Sequence, residues 1–249
     1  MGLSIVTIND NQIAVEPGTT ILEAARKLNI HIPTLCHLDM HDIKMVNKVA
    51  SCRVCVVEVE GRRNLAPSCA TPVTDGMIIR TNSKRAIKAR RAVLELLLSD
   101  HPFNCLTCAK SLDCELQALA KQFGIEEIPF KGAMSTHPLD TSSRAIRREL
   151  DKCILCRRCE TVCSEMQTVG VLTGYGRGFQ CVVSPAEMKP LADTICTFCG
   201  QCVNVCPTAA LTGISYIREV WEAINNPAKT VIVQTAPAVR VGIGEEFDM

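Results

Sequence analysis

The sequence of 249 residues has few aromatic side chains and little net charge. Aromatic residues make up 4% of it and the formal net charge is +1, and the basic residues lack the interleaved aromatics of a nucleic-acid-binding surface. No apolar run approaches the roughly 18 residues of a membrane span. The first residues show no secretory signal. We therefore expect a cytoplasmic chain that does not span a membrane and has no nucleic-acid partner.

Motifs for nucleotide binding and for acid–base or nucleophilic catalysis are also missing. Without a Rossmann fingerprint or a Walker loop, nicotinamide and flavin are expected to bind elsewhere. No catalytic residue is therefore assigned. Cysteine, in contrast, is abundant, with sixteen residues. In a reducing cytoplasm, cysteines in C-x-x-C groups indicate metal binding rather than disulfides.

Eight of the cysteines form two copies of C-x2-C-x2-C-x3-C, and each cysteine of the first copy recurs 43 residues later. In two-cluster ferredoxins the fourth cysteine of such a run binds the other cluster, because it lies too far along the chain to close its own site. The pattern predicts two 4Fe–4S sites. The expected ligands are Cys153, Cys156, Cys159 and Cys206 in the first, and Cys196, Cys199, Cys202 and Cys163 in the second.

Four cysteines nearer the N-terminus, Cys36, Cys52, Cys55 and Cys69, have the spacing C-x15-C-x2-C-x13-C. A close pair beside two distant cysteines resembles plant-type ferredoxins and predicts a 2Fe–2S site. The first gap is longer than in that pattern, and residues 37–51 are expected to form a loop over the site. Zinc is the alternative, since four thiolates can also close a tetrahedral site.

A third group has the spacing H-x3-C-x2-C-x5-C and consists of His101, Cys105, Cys108 and Cys114. Three cysteines leave one corner of a 4Fe–4S cluster open, and an imidazole nitrogen can fill it. Alternatively, His101 is an ordinary histidine near the end of a helix, where a cation is favourable. Because the cysteines lack a fourth partner, we expect His101 to be a ligand that raises the potential, as histidine does in Rieske centres.

Hydrophobic periodicity predicts an α+β chain of several modules. A β-hairpin is expected around residues 9–11 and a capping box at Thr20 and Glu23. Further helices are expected at 84–99, 112–123 and 212–225, strands at 54–59, 78–79 and 230–234, and a strand pair within 169–183. On the helix at 84–99, Arg90 is assigned to the solvent-facing side. Cys181, which lies outside every motif, is expected to be a small buried residue.

The order of these motifs resembles the N-terminal module shared by iron-iron hydrogenases and the large iron–sulfur subunit of NADH-quinone oxidoreductase. Diaphorase-linked subunits of NAD-reducing nickel-iron hydrogenases and some NAD-linked formate dehydrogenases look similar. The resemblance implies one 2Fe–2S and three 4Fe–4S clusters. The implied domains are a β-grasp 2Fe–2S domain at 1–82, a His-ligated 4Fe–4S domain at 83–124, a connector at 125–143, a bacterial-type ferredoxin domain with two 4Fe–4S clusters at 144–225, and a tail at 226–249.

The tail resembles the first strand of the hydrogenase catalytic domain, which binds its hydrogen-activating cluster through four further cysteines. No cysteine follows Cys206. We therefore expect an electron-transfer subunit of an NAD(P)-linked hydrogenase complex, which includes electron-bifurcating forms. A fragment of an iron-iron hydrogenase, or of an NADH or formate dehydrogenase subunit, is the alternative. The expected partners are a flavin- and NAD(P)-binding diaphorase-type subunit, a small 2Fe–2S subunit and a hydrogenase catalytic subunit.

The proposed clusters would dominate the charge of the chain. Fifteen ligand thiolates around four oxidised iron–sulfur cores leave roughly −7 at the sites themselves. Basic residues near the motifs are therefore expected to compensate this charge. They are Arg53, Arg62, Arg63, Arg157 and Arg158.

Elemental analysis separates the iron–sulfur prediction from the zinc alternative. We expect a brown protein with about fourteen iron atoms per chain and EPR signals from several centres on reduction. About four zinc atoms and no iron would contradict the prediction.

Overall fold

The computed structural model describes residues 2–39 and 47–247, so part of the loop expected at 37–51 lies outside the described residues. The chain mixes helices and strands and divides into two compact units, Met1–Gly213 and Ile214–Met249. Within the described residues, no helix has the length and apolar character that a membrane crossing requires.

A five-stranded sheet forms the N-terminal part of the first unit. Its strands are β1 (Ser4–Ile8), β2 (Asn11–Val15), β3 (Val56–Val59), β4 (Ala66–Pro67) and β5 (Ile78–Arg80). Their order across the sheet is β2-β1-β5-β3-β4. Only the pair β1 and β5 is parallel among these neighbours. Helix α1 (Ile21–Lys27) covers the sheet and shares one apolar core with it.

Local sequence signals account for the first turn and for the start of α1. Asn9 and Asp10 have φ of 47° and 70°, which these two residue types tolerate and which a tight hairpin turn needs. At α1 the hydroxyl of Thr20 accepts a hydrogen bond from the backbone N–H of Glu23, and the Glu23 carboxylate accepts one from the N–H of Thr20 at 2.7 Å. The predicted hairpin and capping box are therefore confirmed.

Two helices follow the sheet, α2 (Lys84–Ser99) and α3 (Glu115–Gln122). The expected bounds of α2 are confirmed, but the assignment of Arg90 to its solvent side is wrong. Arg90 is only 2% exposed. It lies four residues from Ala86 and from Leu94, so all three occupy one helix face, and all three are buried. Helix α3 ends before Gly124, whose φ of 60° suits the position after a helix.

The cysteine repeat folds into a pair of short helices and two small sheets. These elements are β6 (Ile146–Arg148), α4 (Arg158–Thr161), β7 (Thr173–Tyr175), β8 (Val182–Ser184), α5 (Gln201–Asn204) and β9 (Leu211–Gly213). Strand β6 pairs antiparallel with β9, and β7 with β8, which confirms the expected strand pair. Cys181 precedes β8 and is half-buried rather than fully buried as expected.

The second unit contains α6 (Ile217–Ile224) and α7 (Pro237–Glu246). The helix expected at 212–225 begins only at Ile217, because residues 211–213 form β9. The strand expected at 230–234 is wrong, and its Ile232 and Val233 are 86% and 84% exposed. A strand needs a neighbour for its N–H and C=O groups. Residues 214–247, all of which are described, contain no strand that could serve.

A buried ion pair fastens the segment around Asp140, which was expected to be a connector, to the cysteine repeat. Arg148 on β6 lies 3.1 Å from the carboxylate of Asp140 in the connector, and their side chains are 4% and 10% exposed. The guanidinium also donates to the hydroxyl of Ser184 at 2.8 Å and to the carbonyl of Lys189. Asp140 further accepts the backbone N–H of Leu191. The pair thus joins four segments of the chain.

Replacing Arg148 by Met should destabilise the first unit by about 3 kcal/mol, because it leaves the Asp140 carboxylate buried without its cation. The urea midpoint of unfolding, followed by circular dichroism, measures the effect. The matched control is Arg147→Met on the same strand. Arg147 is 46% exposed in its ion pair with Glu149, so the control should lose less than about 1 kcal/mol. Equal losses in both variants would contradict the importance of the buried pair.

Candidate iron–sulfur sites

The four cysteines of the expected 2Fe–2S site come together beside β3. They are Cys36, Cys52, Cys55 and Cys69, and each is at most 5% exposed. The sulfur atoms of Cys55 and Cys69 lie 3.3 Å apart. Hydrogen bonds from Cys52 and Cys69 lower the pKa of Cys36. The four thiols are therefore linked to one another through short sulfur contacts.

Three secondary-structure elements deliver these thiols to one place. Cys36 follows α1, Cys52 and Cys55 come directly before β3, and Cys69 follows β4. Between the close pair, Arg53 has a φ of 59°, in the left-handed region that non-glycine residues seldom adopt. The Cys-x-x-Cys segment therefore has a residue in the left-handed conformation between its two cysteines.

The cysteines of the repeat line two cavities in the groups that the spacing suggests. One cavity is lined by Cys153, Cys156, Cys159 and Cys206, together with Pro207 and Thr208 among others. The other is lined by Cys163, Cys196, Cys199 and Cys202 with mostly apolar neighbours. The fourth cysteine of each run thus faces the cavity of the other run.

The backbone repeats its conformation in the two runs, as the cysteines repeat in sequence. Leu155 and Arg157 have φ of 54° and 62°, and 43 residues later Phe198 and Gly200 have φ of 54° and 77°. Consecutive turns of this kind point backbone N–H groups into the concave side and favour a negatively charged occupant. Non-glycine residues at three of these four positions show that tertiary structure holds the loop against local preference.

The group around His101 is less complete. Cys105 is exposed, and Cys108 and Cys114 are half-buried. Burial raises the pKa of Cys114, and negative charge on Cys108 and Cys105 raises it further, so the three thiols lie within electrostatic reach of one another. His101 is 9% exposed, and its Nδ1 atom has no hydrogen-bond partner among the described residues. The structure therefore gathers the three cysteines but does not join Nδ1 of His101 to them.

The chemistry of the buried cysteines fits a cationic core. Burial raises the pKa of Cys153 to about 11 and those of Cys156 and Cys202 to about 12. A thiolate at these positions therefore needs a nearby positive charge, which iron ions supply in an iron–sulfur cluster. Within residues 2–39 and 47–247, no three His, Cys, Asp or Glu side chains are arranged to hold a single metal ion.

Apolar packing connects the sites. Cys36, Cys52 and Cys156 belong to one buried cluster, which also contains Leu94 of α2 and Ile154. Both cysteine runs of the repeat share a second apolar cluster. Helices α2 and α3, the loop before β3 and the repeat thus meet between the expected 2Fe–2S site and the cavity of Cys156.

Charged residues beside the ligand candidates add polar links that the sequence motifs do not single out. The backbone N–H of Glu115, next to Cys114, donates to the carbonyl of Pro207 at 3.0 Å. The Glu115 carboxylate accepts two hydrogen bonds from Arg158, at 2.5 and 2.8 Å. Arg158 is one of the residues expected to compensate cluster charge, and its charge does lower the pKa of Cys156 against the larger effect of burial. The sequence signal that could have indicated the role of Glu115 is its position next to the motif cysteine Cys114.

Comparison with protein families agrees with this geometry. Residues 5–84 match the 2Fe-2S iron-sulfur cluster binding domain. Residues 90–129 match the NADH-ubiquinone oxidoreductase-G iron-sulfur binding region, and residues 193–212 match the 4Fe-4S binding domain. Fold and sites thus define an iron–sulfur protein with 2Fe–2S and 4Fe–4S binding domains.

Individual relatives place the chain in a family. It is 60% identical over 247 residues to the NADP-reducing hydrogenase subunit HndD of Solidesulfovibrio fructosivorans. It is 35% identical over 248 residues to iron hydrogenase 1 of Clostridium pasteurianum. Each alignment covers 99% of this chain but only 42% of the relative, so the chain spans about two fifths of their length.

A solved structure extends the likeness to the fold. A chain of an NAD+-reducing [NiFe]-hydrogenase in the H2-reduced state superposes with a TM-score of 0.76 at 30% identity. The match covers 85% of this chain and 88% of that chain. The protein therefore belongs to the family of iron–sulfur chains shared by hydrogenases and NADH-quinone oxidoreductases.

Single cysteine substitutions test the pairing between the two runs. Cys206→Ser should give the same iron loss and the same change in the EPR spectrum as Cys153→Ser, because the two line one cavity. Cys163→Ser should instead match Cys196→Ser, for the same reason in the other cavity.

The matched control is Cys181→Ser, since Cys181 lies outside both cavities' cysteine groups and should leave the iron content unchanged. If Cys206→Ser resembled Cys196→Ser instead, each run would bind its own fourth cysteine and the proposed crossing would be wrong.

Proposed function

We propose that this chain relays single electrons through iron–sulfur clusters in an NAD(P)-linked hydrogenase complex of the cytoplasm. Electrons would pass between a flavin- and NAD(P)-binding partner and a hydrogen-activating centre that lies outside these residues. The observation that carries the proposal is the 60% identity, over nearly the whole chain, to a subunit of an NADP-reducing hydrogenase.

The proposed cofactors are one 2Fe–2S cluster and three 4Fe–4S clusters, which when bound would act as one-electron carriers. The chain would hold them in a β-grasp domain at 1–82, a small domain at 83–124 and a bacterial-type ferredoxin domain at 144–225. The ligand sets proposed are those expected from the motifs. The sulfur contacts among Cys36, Cys52, Cys55 and Cys69 and the two cysteine-lined cavities support them.

The residues of this chain would exclude water, fix the positions of the clusters and tune their potentials. His101 is suited to the open corner of its cluster because burial lowers its pKa, and the charge of Lys152 lowers the pKa further. A neutral imidazole can ligate iron and brings no negative charge, so it should raise the potential of that cluster relative to a four-thiolate site.

The proposed partners follow from what this chain lacks and from what its relatives are. A diaphorase-type subunit with flavin and NAD(P), and a small 2Fe–2S subunit, would exchange electrons with one end of the relay. A hydrogenase catalytic subunit would exchange them with the other end. A second candidate is electron relay in an NADH-quinone oxidoreductase, which the match of residues 90–129 to an iron–sulfur binding region of NADH-ubiquinone oxidoreductase favours.

A substitution at the meeting point of the sites tests the relay in the native complex. Cys156→Ser should abolish most hydrogen-dependent reduction of NAD(P). Cys156 is an expected ligand of one 4Fe–4S cluster, and it packs in the same apolar core as Cys36 and Cys52 of the expected 2Fe–2S site. Hydrogen-dependent reduction of an artificial one-electron dye at the catalytic centre should persist. Stopped-flow or steady-state absorbance of the nicotinamide measures the first activity, and dye absorbance measures the second.

The control is again Cys181→Ser, which should retain both activities. Full hydrogen-dependent NAD(P) reduction in Cys156→Ser would contradict the relay. Reduction of quinone by NADH, without any hydrogen activity, would instead support the second candidate. Intact-mass measurement of the native polypeptide decides whether the hydrogen-activating centre lies on this polypeptide or on another.

A further inference from the structure

Arg90 is the most deeply buried arginine in the described part of the chain, and its place in α2 is unusual for a cation. It stands between Ala86 and Leu94 on the buried face of the helix. Leu94 belongs to the apolar cluster that contains Cys36 and Cys52. The helix face that carries Arg90 therefore packs against the expected 2Fe–2S site.

The guanidinium group of Arg90 is only partly satisfied by the protein. Its Nε donates to the backbone carbonyl of Val56 at 3.0 Å. Its Nη2 is buried and has no hydrogen-bond partner, and no carboxylate among the described residues lies within ion-pair distance. A buried cation without a counter-ion is strongly unfavourable, so a negative group is expected nearby.

A residue that can carry negative charge directly precedes Val56 in the chain. Cys55, the residue before Val56, is fully buried and belongs to the expected 2Fe–2S ligands. Burial lowers the pKa of Arg90, and the charge of Cys55 opposes this effect. An arginine remains protonated in proteins. The hydrogen bond to Val56 thus fixes a permanent positive charge within electrostatic reach of Cys55.

We propose that Arg90 is the internal counter-ion of the 2Fe–2S site and that its buried positive charge raises the midpoint potential of this site. This inference rests on the 2Fe–2S site proposed above. A 2Fe–2S centre with four thiolates is anionic and gains a further negative charge on reduction. A fixed cation therefore stabilises the reduced form more than the oxidised form.

The test is a redox titration of the 2Fe–2S EPR signal in the intact chain. Arg90→Met, which keeps the length of the side chain but removes its charge and its donors, should lower the midpoint potential. Arg90→Lys keeps the charge without the planar fork and should lower it less. A tenfold change in the reduction equilibrium corresponds to about 59 mV for one electron. A shift of that size is readily resolved by such a titration.

The matched control is Arg91→Met on the same helix, which removes the same charge from a residue whose side chain is 49% exposed. It should leave the midpoint potential unchanged, because exposed charges are screened by water and salt. Titrations at low and high salt provide a second readout. The potential difference between wild type and Arg90→Met should persist at high salt.

The outcomes separate the inference from the site on which it rests. A wild-type chain without a 2Fe–2S signal would refute the site, whereas a signal with the same potential in wild type and Arg90→Met would refute only the role of Arg90. If Arg90→Met loses the 2Fe–2S signal alone and Arg90→Lys retains it, a counter-ion requirement is supported. If both variants lose every cluster together with the fold, Arg90 merely supports the packing of α2 and the inference fails.

Discussion

The free-energy cost of burying a cysteine thiolate away from water is the constraint on which the candidate sites depend. A thiolate in an apolar setting is unfavourable unless a positive charge lies beside it, and the raised pKa values of Cys153 and Cys156 express that cost. The same packing that excludes water from these sulfurs therefore makes the sites suited to a cationic core. Binding such a core and completing the fold would be one process, because cysteines of both runs belong to the apolar cluster at these sites.

The backbone meets this demand through a small number of unfavourable conformations. Leu155, Arg157 and Phe198 occupy the left-handed region, which costs a non-glycine residue about 1 kcal/mol or more. At the position equivalent to Arg157, the second run has Gly200, which adopts the left-handed conformation without this cost. Because the positions recur with the cysteines, the loop geometry belongs to the motif and not to the particular side chains between the cysteines.

Short-range patterns in the sequence predict much of the fold, and their failures have identifiable causes. The bounds of α2 follow from its cap and its apolar stripe, so the sequence predicts them correctly. The prediction for Arg90 fails because arginine usually faces solvent, whereas the spacing of Arg90 from Ala86 and Leu94 places it on the buried face of α2. The strand expected at 230–234 rests on β propensity, which has no effect without a neighbouring strand. At the sites, spacing anticipates which cysteines share a cavity, but ligation itself stays a prediction.

Charge control differs between the proposed clusters, and each device is local. At one 4Fe–4S site a neutral imidazole from His101 would replace a thiolate and remove a negative charge. At the 2Fe–2S site Arg90 would add a positive charge without occupying a ligand position. The two cysteine-lined cavities of the repeat have mainly apolar lining besides their cysteines, apart from Arg157 and a few polar residues. Because these devices sit on different elements, one substitution can change the potential of one cluster while the ligands of the others stay in place.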